Sequence, residues 1–427
     1  MTPLPRASLS RAAAWLRVAS STVAIVVAIA AGATTLQVAA PPIAAVGTPV
    51  APQPTDPPAP SEPSTGPSTP ASPASAPSAA PPSGGPSTRR GFTVAFTGDI
   101  LIHSSLWEQA AAHADGAGYD FRPLLGPVRP VVAAADLAIC HLETPLSPDD
   151  RDIASYPVFE TPASLADAIA WAGYDGCSTA SNHSLDGGVN GVRATLRNLD
   201  RVSLGHAGTA RSKQEARRIT TYRVAGARIA HLSYTFGFNG FVADTPWRAN
   251  RIDVPAVLAD AARARNAGAD LVVVSLHWGV EYTHEPTTWQ RQTAAHLARS
   301  PAIDLLVGHH AHVVQPVTRT HGTWVAYGLG NLLSGMTSSL GTPAVADGVV
   351  LRAHVERHRG AWRIDQLSAI PTMVRYGTWQ VLPVARTLAR AWPTEGLRAD
   401  LRASRSRTIT AMCAGNRSCS GSWPTGR

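Results

Sequence analysis

Leu271-Val272-Val273-Val274-Ser275-Leu276 runs directly into His277-Trp278-Gly279-Val280-Glu281. Five of the first six residues are apolar and three are β-branched valines, which is the composition of a short strand buried on both faces. Ala- and Arg-rich stretches with helical spacing flank it, at 255–268 and 287–299. The same unit recurs along the chain. Strand-like runs occupy 92–96, 136–140, 176–179, 228–234, 305–307 and 324–327, and further helix-like stretches occupy 162–172 and 189–201. Gly173 and Gly268 stand at helix stop positions. Alternation on this scale predicts an α/β body, and no internal repeat is visible.

The residues that follow the strands carry the chemistry. After the first strand come Gly98-Asp99 and then His103; after the second, His141-Leu142-Glu143; after the third, Ser181-Asn182-His183 and Asp186. The 271–276 run leads to His277 and Glu281, and the 305–307 run to Gly308-His309-His310-Ala311-His312. In α/β sheets the carboxyl ends of strands gather at one edge, and ligands bind there. Five exits would bring Asp, Glu, Asn and several His together. Such oxygen and nitrogen donors, with no thiolate, suit zinc, manganese or iron rather than a structural cysteine-zinc site. Singly, each residue is more often a turn, a cap or a surface histidine. Their order and shared position argue for a metal site. His310 and His312, alternating on an extended segment, are expected to point to one side. Cys140 and Cys177 read as buried thiols, not ligands.

This ordered set resembles the CapA family of poly-γ-glutamate capsule-synthesis proteins, within the calcineurin-like metallophosphoesterase superfamily. The resemblance covers about residues 92–375. It rests on Phe-Thr-Gly-Asp-Ile-Leu-Ile-His (96–103), His-Leu-Glu-Thr-Pro-Leu-Ser (141–147) and Ser-Asn-His-Ser-Leu-Asp-Gly-Gly (181–188). Ser-Leu-His-Trp-Gly-Val-Glu-Tyr (275–282), Gly-His-His-Ala-His-Val-Val-Gln (308–315) and Tyr-Gly-Leu-Gly-Asn (327–331) complete it. The resemblance implies a two-layer β-sandwich flanked by helices, with two divalent ions (manganese, iron or zinc) at one edge. By motif, Asp99, Glu143, Asn182, His277, His310 and His312 match the metal ligands. His183 matches the histidine that protonates a leaving group, and Asp186 stands where it would orient His183. His103, His141, Trp278, Glu281, His309 and Gln315 are candidates for lining the site. The chain departs from the wider superfamily in two places. His103 follows Asp99 by four residues where Asp-x-His is usual, and the second acid is Glu143 rather than Asp. Within the family that second motif more often begins with Asn, where this chain has His141.

The ends of the chain read differently from its body. Of the 35 prolines in 427 residues, 16 fall in 41–90. Residues 1–40 join three arginines and no acid to an uncharged apolar stretch and a small-residue exit at Ala31-Gly32-Ala33, the pattern of a signal peptide or a retained N-terminal anchor. As a helix, 18–40 would span about 34 Å, enough for a bilayer core. The stretch 41–90 is Pro-, Ser- and Ala-rich without aromatics and reads as a disordered stalk. Residues 376–427 read as an Arg-rich, partly disordered extension in which Cys413 and Cys419 could close a loop. The net charge of +8 divides into +3 for 1–40, zero for 41–90 and +6 for 376–427, leaving −1 for the body 91–375. A nucleic-acid-binding domain carries its basic excess in the folded part, so nucleic acid is excluded as a partner.

Together these readings describe an exported protein, anchored or secreted, at the outer membrane face or wall. Its expected role is the synthesis, export or anchoring of a capsular polymer such as poly-γ-glutamate, through a dinuclear hydrolase site resembling phosphoesterases. The alternative is a non-catalytic polymer-binding subunit. The expected partners are an anionic envelope polymer and membrane synthase subunits, with contact to the membrane through an uncleaved N-terminus.

Overall fold

A computed structural model of the protein describes residues 91–414. The signal or anchor segment, the stalk and Cys419 lie outside the described residues. The chain first lays down β1 (Gly91–Leu101), β2 (Leu137–Leu142), β3 (Gly176–Ser178) and β4 (Gly205–Ala207). A second group follows: β5 (Thr220–Val224), β6 (Ala227–Thr235), β7 (Leu271–His277), β8 (Leu305–His309), β9 (Val317–Thr320) and β10 (Thr323–Ala326). The chain closes with β11 (Asn331–Ser334), β12 (Asp347–His358), β13 (Ala361–Arg375) and β14 (Gln380–Pro383).

Two sheets result. One runs β14-β13-β12-β1-β2-β3-β4, with β11 also paired to β1; the other runs β5-β6-β7-β8-β10-β9. Strands β1 to β4 are mutually parallel, as are β6, β7, β8 and β10. Parallel neighbours need crossovers, and the helix-like stretches supply them. They form Leu165–Ala172, Gly188–Arg201, Val254–Asn266 and Thr288–Ala298. Gly173 ends the first of these at φ +97°, a left-handed position that a Cβ disfavours. Thr287 and Gln290 form a reciprocal capping box on the last.

Residue parity then sorts the core into layers, because successive strand side chains face opposite ways. Phe92, Val94, Phe96, Leu137 and Ile139 meet Ile229, Leu271, Val273, Leu305 and Val307 between the sheets. Ala95, Ala138 and Cys140 face outward under Leu165, Ile169 and Leu196 of the covering helices. Val272, Val274 and Leu306 face outward beneath Val257, Ala261 and Leu297. The architecture is thus an α/β fold, a two-layer β-sandwich flanked by helices, as the resemblance implied.

Two expectations are corrected. The stretch from 376 onward is integral to the fold as far as it is described. Strand β14 extends the first sheet, and the helix Glu395–Cys413 buries Leu401, Thr408 and Met412. Arg407 of that helix makes a two-pronged ion pair with Asp347 at 2.7 and 2.9 Å. No helix among the described residues is long and apolar enough to cross a membrane.

Cys140 and Cys177 are not free thiols: they are joined as a disulfide. They are register partners on adjacent strands with Cα atoms 4.4 Å apart, and both face the outer helices. The reading as buried thiols weighed each residue alone and missed the pairing of their strands. Closing a loop of 37-residue separation constrains the unfolded chain by up to about 4 kcal/mol. Reduction is therefore expected to lower the thermal midpoint by about 10 °C. A non-reducing digest should also contain the linked Cys140–Cys177 peptide, and its absence would contradict the assignment.

Candidate metal centre

The parity that builds the core also aims the polar residues. On β2, Leu137 and Ile139 face the other sheet, so His141 and Glu143 continue that face at the carboxyl end. Leu271 and Val273 do the same for Ser275 and His277 on β7, and Leu305 and Val307 for His309 on β8. Strand β1 reaches this face by an irregularity. Its pairing with β2 shifts register between Phe96 and Asp99, and with β11 between Asp99 and Ile100. Before the shift Ala95 faces outward; after it Ile100 and Ile102 do. The bulge therefore turns Asp99 toward the space between the sheets.

Seven buried side chains meet there. Ligand atoms within 4.8 Å of one another form three overlapping groups: Asp99, His141, His309; His141, Glu143, His277; and Glu143, His310, His312. Asp99 Oδ1 lies 3.0 Å from His309 Nδ1, and Asp99 Oδ2 accepts from the His310 backbone N–H at 3.1 Å. His312 Nδ1 lies 3.2 Å from the same Oδ2. His141 Nε2 is 2.9 Å from His277 Nδ1, while His277 Nε2 donates to Asn182 Oδ1 at 2.8 Å. His141 also lies flat against His309, with ring centroids 4.0 Å apart.

The electrostatics of this set call for a cation. Neither oxygen of Glu143 has a hydrogen-bond partner, although the residue is 1% exposed. Its nearest donors, His312 Nε2 and His277 Nε2, stand 3.6 and 3.7 Å from Oε1. His310 Nδ1 is likewise buried without a partner. An uncompensated buried carboxylate costs several kcal/mol, and a coordinated cation removes that cost. Burial pushes Glu143 well above the usual carboxylate range. It also holds His141 and His277 well below the usual histidine value and His310 at about 3, so each of these three rings is neutral and keeps one nitrogen with a lone pair. Burial raises Asp99 too, but hydrogen bonds from His309 and His312 outweigh it and keep Asp99 ionised. His312 is opposed by burial, yet the charge of Glu143 and the hydrogen bond to Asp99 lift it to about 9. Two carboxyl groups among five imidazole rings, three of them held neutral by burial, form an oxygen and nitrogen donor set that fits a divalent ion such as zinc, manganese or iron.

His310 and His312 reach the centre by a route the sequence did not indicate. The segment is not extended: both residues have left-handed backbones, φ +86° and +54°. Strain of this kind persists where surrounding contacts over-determine it. Here the contacts are Asp99 on the His310 N–H and Asn331 Oδ1, 3.0 Å from His312 Nδ1.

Asn182, His183 and Asp186 sit beside the seven. Ser181 Oγ donates to the Glu143 carbonyl, and the His183 N–H donates back to Ser181 Oγ at 3.0 Å. His183 Nδ1 meets Asp186 Oδ2 at 2.7 Å, and that oxygen also accepts from the Phe159 N–H at 2.8 Å. Phe159 packs edge-on against both His183 and His103, at 4.7 and 5.3 Å. Burial lowers His103 to about 4, and Gly335 N donates to its Nδ1 at 3.2 Å. His103 and Glu281 line the cleft above the centre.

Two candidates for lining the site do something else. Trp278 is wholly buried in the outer core of the second sheet and donates to the Tyr327 carbonyl at 2.9 Å. Its parity, one residue after an inward His277, already turns it away. Gln315 accepts from Gln290 at 2.9 Å and donates to the Thr283 carbonyl at 2.8 Å, tying loops together behind the site. Conversely, His141 and His309 belong to the clusters rather than to the lining, and inward parity was the signal for both. Asn331, which positions His312, and Asn239, whose Nδ2 lies 3.4 Å from His183 Nε2, carried no such signal.

The family profile described as "Bacterial capsule synthesis protein PGA_cap" matches residues 93–336. The chain is 27% identical to the PGA biosynthesis protein CapA of Bacillus subtilis (strain 168) over 320 residues, covering 71% of this chain and 80% of that one. It is also 27% identical to the capsule biosynthesis protein CapA of Bacillus anthracis over 252 residues, covering 56% of this chain and 59% of that one. Among solved structures, the 5'-nucleotidase precursor from Thermus thermophilus aligns with a TM-score of 0.40 and 14% identity, over 75% of this chain and 59% of that chain. The profile takes in every residue of the candidate centre, from Asp99 to Asn331, and the chain belongs to the PGA_cap family of bacterial capsule synthesis proteins.

Proposed function

We propose that the protein is an exported, metal-dependent hydrolase that cleaves an ester or amide linkage during synthesis, export or anchoring of a capsular polymer. The orphaned, fully buried carboxyl group of Glu143 among histidine rings is the observation that carries this reading. Two divalent ions of manganese, iron or zinc, held by Asp99, Glu143 and the surrounding histidines, would supply Lewis acidity and lower the pKa of water. The chain's own part is positioning and proton transfer. Asp186 holds His183 through Nδ1, leaving Nε2 toward the cleft, where it donates a proton to the departing group. Asp186 is itself fixed by the Phe159 N–H, so the pair keeps one orientation. Asn182 and Asn239 present amides beside it, and Phe159 shields it from water. Export is supported by the N-terminal pattern of residues 1–40 and by the Cys140–Cys177 disulfide, which suits an oxidising compartment. The proposed partners are the envelope polymer and membrane synthase subunits.

Metal analysis and hydrolysis of an aryl phosphate diester test the proposal together. Bound metal is expected, and its removal by chelator should lower the thermal midpoint by about 5–10 °C, the shift for a ligand at about 100 times its Kd. A metal-free protein indifferent to chelator would sink the reading. His183→Ala should keep the metal and lose about 10²–10⁴-fold in kcat. If that variant loses hydrolysis but supports normal polymer output in cells, turnover is not the biological role, and the non-catalytic polymer-binding subunit stands instead.

A further inference from the structure

The cleft that opens onto the centre has a volume of about 780 Å³. Its apolar lining comes from Tyr156, Phe159, Phe241, Tyr282, Met336 and Leu340. Its polar lining comes from His103, His183 and His312 with Asn182, Asn239 and Glu281, and includes no Arg or Lys. The chain has cations to spend elsewhere. At the opposite edge of the same strands, beside Asp270 and Asp304, a depression is lined by Arg265, Arg319 and Arg363.

Part of the exposed apolar surface gathers at this cleft. Eleven large apolar side chains are exposed among the described residues, and four of them, Tyr156, Val158, Phe241 and Leu340, line it. Tyr156 is 75% exposed. A fifth, Phe236, lies against His310 of the centre with ring centroids 4.6 Å apart. Separate loops supply these residues, so no single segment's composition explains the cluster. Contiguous exposed apolar surface beside convergent polar groups marks a binding site.

We propose that the linkage cleaved at this centre is flanked by an uncharged ring, aryl or glycosyl, held on Tyr156, Phe241 and Tyr282, and that the cleft does not take a flank of repeated carboxylates. Aromatic side chains hold flat rings by stacking and by burying area. A carboxylate-bearing flank would find no Arg or Lys in the lining and would face Glu281. This deepens the hydrolase reading and rests on it for the identity of the cleaved group, but ring recognition is measurable without turnover.

The test is calorimetric titration of the manganese-loaded full chain with non-hydrolysable probes: phenylphosphonate, a glucosyl phosphonate, methylphosphonate and a γ-glutamate hexamer. At least one ring probe should bind about tenfold tighter than methylphosphonate, and the tighter of the two names the ring. In Tyr156→Ala/Phe241→Ala that ratio should fall to about one. The hexamer should not displace the ring probe at tenfold excess. Equal affinity for ring and methyl probes, an unchanged ratio in the double variant, or displacement by the hexamer would each overturn the inference while leaving the hydrolase reading intact. Ring binding with no hydrolysis of any ester would uphold the inference and remove the hydrolase. Failure of every phosphonate to bind would overturn the inference.

Discussion

Asp99→Asn should lose at least about 100-fold in metal affinity, more than loss of an outer hydrogen-bonding partner usually costs. Hydrolysis of an aryl diester should fall by about 10³-fold or more, equivalent to about 4 kcal/mol of transition-state stabilisation. The reason is geometric as much as electrostatic. One carboxylate holds His309 through Oδ1, and the His310 backbone and the His312 ring through Oδ2, at 3.0 to 3.2 Å. An amide keeps the shape but has no negative charge, and its NH₂ faces donors on one side. The three histidine contacts then lose their common anchor at a site 1% exposed. Metal content per folded molecule, with circular dichroism to establish folding, separates lost coordination from lost structure. Wild-type metal content and turnover in Asp99→Asn would remove Asp99 from the centre.

Gly308→Ala should yield little folded protein, a destabilisation of at least about 4 kcal/mol at the exceptional end for a single substitution. A Cβ on Gly308 would stand 1.8 Å from the Tyr327 carbonyl oxygen and 2.6 Å from Trp278 Nε1. Neither neighbour can yield. Tyr327 O accepts the Trp278 indole N–H, and the Gly308 carbonyl accepts from the Leu329 N–H at 3.2 Å. Strands β8 and β10 are therefore pressed together immediately before His309. Gly396→Ala is the control: a Cβ there meets nothing within 4 Å, and alanine is the better helix former. Soluble yield and thermal unfolding of the two variants check this. A Gly308→Ala protein as stable as Gly396→Ala would show that the close approach is not a constraint.

Much of the fold was legible in the chain. The apolar runs became β1, β2, β3, β6, β7, β8 and β10, and the helical stretches between them became the outer layers. Strand composition and the helix repeat are local properties, so a single sequence carries them. The helix Glu395–Cys413 was harder to read. Its arginines suggested a solvated tail, while the six residues it buries are spaced along one face and include Ser404 and Thr408, which composition counts as polar. The disulfide was hidden for a related reason, since Cys140 and Cys177 are partners only through the register of β2 with β3.

The order of residues along the chain fixes which of them share a face at the carboxyl ends of the strands. Alternation in a strand is covalent geometry, so His141 and His309 follow from Ile139 and Val307 two positions before them, and His277 from Val273 four positions before it. Tertiary structure alone decided which of those residues share one centre. His309 meets Asp99 across 210 positions of chain, and His310 and His312 join Glu143 only on left-handed backbones that distant partners hold in place. The orphaned carboxylate of Glu143 exists only once two sheets close over it. A desolvation cost of that kind belongs to the assembled interior, and no stretch of chain carries it alone.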